Sequence, residues 1–201
     1  MMKLILASNN AHKYSEFRAM TEGLDITLIS QREAGCDFEV DETGTTFEEN
    51  SYLKAAAVTA ATGCAAVADD SGLVVDALGG EPGIYSARYG APEVKTDAER
   101  YQYLLSKLGD EQKRTARFVS CICCTFPDGA VLRARGECEG EILFAPRGEN
   151  GFGYDPVFKP QGYACSMAEL TPDEKNAISH RGKALQKFMT VLKEHINADN
   201  K

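Results

Sequence analysis

The sequence predicts an α/β fold, and three observations predict it. Apolar runs of strand length recur along the chain, and well-capped helices fall between them. The most distinctive run, Cys64 to Leu73, brings a buried strand onto two acids followed by Ser-Gly. Strands alternating with helices are the pattern of α/β proteins. With 201 residues the chain can bury a substantial core. No internal repeat, low-complexity tract or linker interrupts it, so residues 1–201 read as one domain.

Taken in order, Lys3 to Ser8 is a short, mostly apolar strand. Ser8-Asn9-Asn10 can cap the helix that follows, where Tyr14, Phe17 and Met20 keep helical spacing. Lys13 falls in its first turn, where a cation opposes the helix dipole. An anion held at the same helix start would explain it, and so would a solvated surface lysine. Ile26 to Ile29 is a second strand. Thr46 and Glu49 form a capping box for an Ala-rich helix that stops near Gly63. On that helix Asn50 and Lys54 lie one turn apart, either aimed together into a site or on its wet side.

Cys64 to Ala68 reads as a buried strand ended by Asp69-Asp70-Ser71-Gly72, since Gly marks a bend, and Leu73 to Leu78 as another strand. Thr96 and Glu99 repeat the capping box for a helix ending at Gly109. Two long strand runs, Thr115 to Phe126 and Ala130 to Glu137, are joined by the turn Pro127-Asp128-Gly129. Thr171-Pro172-Asp173-Glu174 starts a short helix. The final helix begins near Ser179 and presents Leu185, Phe188, Met189 and Leu192 as its apolar stripe.

Composition narrows the function. A net charge of −8 disfavours a nucleic-acid partner, which needs a basic footprint, but leaves room for a small anion where Lys and Arg gather. No apolar run approaches the ~18–20 residues of a membrane span, and the first residues lack a signal h-region, so a cytoplasmic protein is expected. The seven cysteines show no paired Cys-x-x-Cys spacing and read as reduced core thiols.

Adjacent carboxylates repel unless a cation or proton relieves them, so Asp69-Asp70 reads as a divalent-metal corner. Its placement at the carboxyl end of a strand is where open α/β sheets bind ligands. An ordinary Asp-rich turn would use the same residues. Asn150 to Pro156 combines glycines with Phe152 and Tyr154, either flat faces for a base or a turn with tucked rings. The first turn of the final helix, His180-Arg181-Gly182-Lys183, is wrong for both dipole and propensity, a conflict expected where function pulls the other way. Cations at Lys13, Lys175, His180 and Arg181, acids at Asp41, Asp69 and Asp70, and a stacking loop together describe a nucleoside polyphosphate with magnesium.

These stretches carry a resemblance. Ser8 to Lys13, Glu42 to Asn50, Ala68 to Leu73, Gly79 to Tyr89, Gly151 to Pro156 and Ser179 to Leu185 resemble, in order and nearly end to end, the inosine triphosphate pyrophosphatase family, the dITP/XTP or non-canonical purine triphosphate pyrophosphatases. The resemblance implies a homodimeric α/β protein with a long mixed sheet flanked by helices and two lobes with the active-site cleft between them. It implies Mg²⁺-dependent hydrolysis of XTP, ITP or dITP to monophosphate and pyrophosphate. Carried over by position, Ser8, Asn9, Asn10, Ala11, His12 and Lys13 hold the triphosphate. Asp70 is general base and metal ligand, and Asp41 is the second metal carboxylate, although many relatives have Glu there. Ser71 touches substrate, Phe152, Gly153, Tyr154 and Asp155 form the base-binding loop, and Lys175, His180 and Arg181 complete the site. Asn50, Lys54 and Asp69 are additional candidates. The competing expectations are a Maf-type pyrophosphatase of modified nucleotides and a nucleotide-binding module without turnover.

Overall fold

The structure is a computed structural model that describes residues 2–23 and 25–199; the side chains of Ala11, His12, Met20 and Asp199 lie outside the described residues. Six strands form one mixed sheet, flanked by helices: β1 (Met2–Leu6), β2 (Ile26–Ser30), β3 (Ala65–Val75), β4 (Thr115–Thr125), β5 (Val131–Ile142) and β6 (Phe158–Pro160), in the order β2-β1-β3-β4-β5-β6. β1 runs parallel to β2 and β3, whereas β6 is antiparallel to β5. The helices are α1 (Ala11–Thr21), α2 (Phe47–Thr62), α3 (Asp97–Leu108), α4 (Pro172–Ile178) and α5 (His180–Asp199). Among the described residues no helix is long and apolar enough to cross a membrane.

The helix starts follow their local chemistry. Thr96 and Thr171 each accept from the backbone N–H three residues on, while Glu99 and Glu174 reach back to the cap, closing two full capping boxes. Thr46 caps α2 through Glu49 N–H, but the Glu49 carboxylate goes one residue further back, to the N–H and hydroxyl of Thr45. Asn10 Oδ1 accepts from Lys13 N–H, as a cap should. The turn between β4 and β5 closes with Phe126 N–H on Ala130 O and Ala130 N–H on Asp128 Oδ1.

One expectation fails. Ser71-Gly72 does not end a strand; β3 runs unbroken from Ala65 to Val75, and Asp69 and Asp70 sit inside it rather than at its carboxyl end. A strand that stays in its sheet gains about 1 kcal/mol for each ladder hydrogen bond it keeps. Glycine in a strand interior costs only roughly 0.5–1 kcal/mol, so the ladder wins over the local turn preference. Leu73 to Leu78 accordingly belongs to the end of β3 and a short 3₁₀ turn at Asp76–Leu78.

The chain divides into two compact units. The first comprises residues 1–70, 120–136 and 184–201, and the second residues 71–119 and 137–183. The first unit has a core on each side of its strands. Leu4, Leu6, Val67, Phe17, Phe188 and Leu192 make one, with α1 and α5, and Ile5, Ala66, Ala68, Ala55 and Val58 make the other, with α2. In the second, Leu73, Val75, Leu104, Phe118, Ile142, Phe158 and Met167 pack together. All seven cysteines are free, five of them buried, and burial pushes the Cys123 thiol up to about 11. Such thiols are packing groups rather than nucleophiles.

Hydrogen bonds from the cap backbone hold the carboxyls of Glu99 and Glu174 below the ordinary glutamate value of 4.5. A carboxyl lowered by folding adds stability that is present above its unfolded value and lost as pH falls through the folded one. The melting temperature is therefore expected to drop below about pH 4.5, and the Glu99→Gln/Glu174→Gln double variant to lose less over the same interval in a pH series of thermal melts.

Candidate active site

In the first unit, the two neighbouring acids of β3 are neutralised separately. Successive strand residues point to opposite faces. Val67 packs with the α1 side and Ala66 and Ala68 with the α2 side, which places Asp69 toward α1 and Asp70 toward α2. Asp69 is buried; its Oδ1 accepts from the Ser120 hydroxyl at 2.6 Å and its Oδ2 pairs with Lys13 Nζ at 2.9 Å. Lys13 Nζ also donates to the Asp69 carbonyl at 3.0 Å. The cation at the start of α1 is thus a partly buried partner of Asp69, not a solvated surface lysine.

On the other face Asp70 Oδ1 lies 2.7 Å from Lys54 Nζ, and Glu42 Oε1 lies 2.8 Å from the same nitrogen. Burial raises the Asp70 carboxyl, Lys54 pulls it back, and nearby Glu42 pushes it up again; the net direction is upward. Burial works against the charge of Lys54, but Asp70 and Glu42 outweigh it and leave its pKa raised. One turn earlier on α2, the fully buried Asn50 accepts from Gly44 N–H at 2.9 Å. Asn50 and Lys54 therefore both reach the 42–44 segment instead of lining the wet side of the helix.

Asp41 is exposed, and its carbonyl accepts from Thr43 N–H. The acid that meets Asp70 on a shared cation is its neighbour Glu42, which sequence reasoning missed. The signal was the acidic run Asp41-Glu42, but in irregular chain no periodicity says which of two adjacent acids turns inward. Two carboxylate oxygens converging on one positive charge suit a hard cation. Among the described residues no group of three or more His, Cys, Asp or Glu side chains forms a ready metal cage. This donor set fits Mg²⁺, which keeps several waters and shares one or two carboxylates with substrate phosphates. Ser8 is half-buried and Asn9 and Asn10 are exposed at the start of α1, while the side chains of Ala11 and His12 fall outside the described residues.

In the second unit, Phe152 stands out because its ring is half exposed. Lys175 Nζ lies 4.6 Å and the Arg181 guanidinium 5.9 Å from its centroid. Two cations beside one aromatic ring make a platform with donors around it. Asp155 is buried, and its Oδ2 takes both Phe152 N–H at 2.9 Å and Lys175 Nζ at 2.5 Å. A side chain at Gly151 would meet that oxygen at 2.1 Å, and Gly151 has φ +78°, so glycine is required there twice over. Arg181 donates to the Ser71 hydroxyl at 3.2 Å, and the His180 ring stacks on Phe118 at 4.8 Å. Tyr154 does not offer a second stacking face: it is buried, and its hydroxyl donates to Ser86 O at 2.9 Å. Of the predicted residues of this unit, Phe152, Asp155, Lys175, Arg181 and Ser71 are linked through the loop, whereas the His180 ring contacts Phe118.

Comparison with known proteins finds relatives along nearly the whole chain. The Ham1 family model matches residues 4–191. A dITP/XTP pyrophosphatase of Deinococcus deserti is 48% identical over 192 residues, covering 96% of this chain and 90% of that protein. One from an Exiguobacterium species is 50% identical over 187 residues, covering 93% and 95%. Among solved structures, a HAM1 protein from Coxiella burnetii superposes with a TM-score of 0.92 at 44% identity, covering 96% of this chain and 100% of that one.

The environments of the twin acids predict different costs. Asp69→Ala strands a partly buried lysine and is expected to destabilise by about 3 kcal/mol, as breaking a buried pair does. Asp70→Asn removes a carboxylate whose charge burial already disfavours, and Lys54 retains Glu42, so stability should stay within about 1 kcal/mol. Urea unfolding of the two variants measures the difference.

Proposed function

Because this chain belongs to the Ham1 family, we propose that it hydrolyses non-canonical purine nucleoside triphosphates, XTP, ITP or dITP, to the monophosphate and pyrophosphate. The observation that carries the reading is Asp70 with Glu42 on Lys54: a raised, buried carboxylate beside oxygen donors suited to Mg²⁺. The names of the relatives support the substrate class. Magnesium, when bound, screens the charge of the phosphates. Asp70 positions and deprotonates the attacking water, for which a carboxyl raised above its ordinary value is the better base. Glu42 takes the second-carboxylate role first given to Asp41. Lys13 and the capped start of α1, Ser8 to His12, face the triphosphate and offset charge on the departing pyrophosphate.

Phe152 gives the base a stacking face, and Asp155 holds both its loop and Lys175. Donors from His180 and Arg181 meet the 6-oxo group of hypoxanthine or xanthine. The 6-amino group of adenine would set donor against donor and leave buried groups unpaired, which such sites reject strongly. The same reading takes 1–201 as one catalytic domain, active in the cytoplasm as a homodimer, with neither nucleic acid nor membrane as partner.

A panel of nucleoside triphosphates, assayed in parallel for pyrophosphate and monophosphate with Mg²⁺, tests it. Turnover of dITP and XTP well above ATP is expected. Preference for a modified pyrimidine triphosphate would move the protein to the Maf type, and binding without release of pyrophosphate would make it a regulatory module. Asp70→Asn is expected to lower kcat by at least about a hundredfold while circular dichroism stays unchanged, in line with the roughly 10²–10⁴-fold worth of a general base.

A further inference from the structure

The loop around Phe152 has an external brace that its own sequence does not announce. Asp97, the first residue of α3, accepts the Gly153 N–H on its Oδ2 at 2.7 Å. Its Oδ1 accepts from Arg100 one turn on. An acid at a helix start needs no special reason, because it suits the dipole. Here, however, capping is already complete without it: Thr96 accepts Glu99 N–H, and the Glu99 carboxylate takes the N–H groups of Lys95 and Thr96. The Asp97 carboxylate is spent instead on a residue 56 positions away.

That residue lies where the loop has most freedom to lose. Gly151 and Gly153 both have positive φ and flank Phe152, so the ring is carried between two glycines. Within the loop, Asp155 ties down Phe152 N–H, and beyond Gly153 the Tyr154 hydroxyl is pinned to Ser86 O. Asp97 fixes the peptide between these two anchors, with a charge-assisted bond to the N–H that directly follows Phe152. We infer that Asp97, held by Arg100, is a positioning residue that sets purine affinity by keeping the Phe152 platform in its stacking-competent arrangement. The inference rests on the reading of residues 152–155 as the base-binding loop.

If the loop without its brace is competent about a tenth of the time, apparent affinity for a nucleotide falls about tenfold, while chemistry at the triphosphate is untouched. Asp97 is half exposed, so its loss is not expected to unfold α3. The test measures KM and kcat for dITP, and inhibition by inorganic tripolyphosphate, in Asp97→Ala, Asp97→Asn and Phe152→Ala. Asp97→Ala is expected to raise KM about tenfold with kcat within about twofold and tripolyphosphate inhibition unchanged, because tripolyphosphate has no base. Asp97→Asn, which keeps an acceptor for Gly153 N–H, should recover KM to within about threefold of the parent. Should Asp97→Ala fold poorly, Asp97→Ser replaces it: serine is a good helix-start residue but too short to reach Gly153. An unchanged KM in Asp97→Ala, or equal weakening of dITP and tripolyphosphate, overturns the inference. If Phe152→Ala also leaves the KM for dITP unchanged, the base-loop reading itself falls; if Phe152→Ala raises it and Asp97→Ala does not, only the brace does.

Discussion

Two carboxyl groups side by side in a buried strand are the constraint that the first unit is built to satisfy. Asp69 and Asp70 would repel each other across a few ångströms and both resist desolvation. The pleat of β3 separates them by turning one toward α1 and the other toward α2, and each helix brings a lysine to meet its acid. That is why Lys13 stands in the first turn of α1 against the helix dipole. It is also why the Ala-rich α2 carries Lys54 on the side it packs with: Ala55 and Val58 seat the helix close enough for the ammonium to reach the strand.

The division gives the two acids different chemistry. Asp69 has both oxygens engaged, by a hydroxyl and an ammonium, and resembles a strut. Asp70 places one oxygen on a lysine that it shares with Glu42, in a setting that raises its pKa. The arrangement separates a pair of similar residues into one with both oxygens engaged and one that shares its lysine with a second acid.

Much of this was legible in the chain. The capping boxes at Thr96 and Thr171, the Pro127-Asp128-Gly129 turn and the ordering of helices and strands follow from interactions within four residues, which sequence shows directly. What was hidden depends on distant partners. Ser71-Gly72 is a turn by local preference and a strand by its ladder. Glu42 rather than Asp41 meets Lys54 because of how an irregular segment lies against α2. Tyr154 and Phe152 look alike in sequence, yet one ring is buried under a hydrogen bond to Ser86 and the other is exposed. Asp97 reads as a routine helix-start acid until its contact with Gly153 is seen.

The unequal roles of the adjacent acids can be read most directly from metal binding. Mg²⁺ is titrated calorimetrically into protein saturated with a non-hydrolysable inosine triphosphate analogue, comparing the parent with Asp70→Asn, Glu42→Gln and Asp69→Asn. Loss of the Mg²⁺ heat in the Asp70 and Glu42 variants, with the Asp69 variant binding as the parent does, is the predicted result. Metal binding that survives at Asp70→Asn and vanishes at Asp69→Asn would contradict the account.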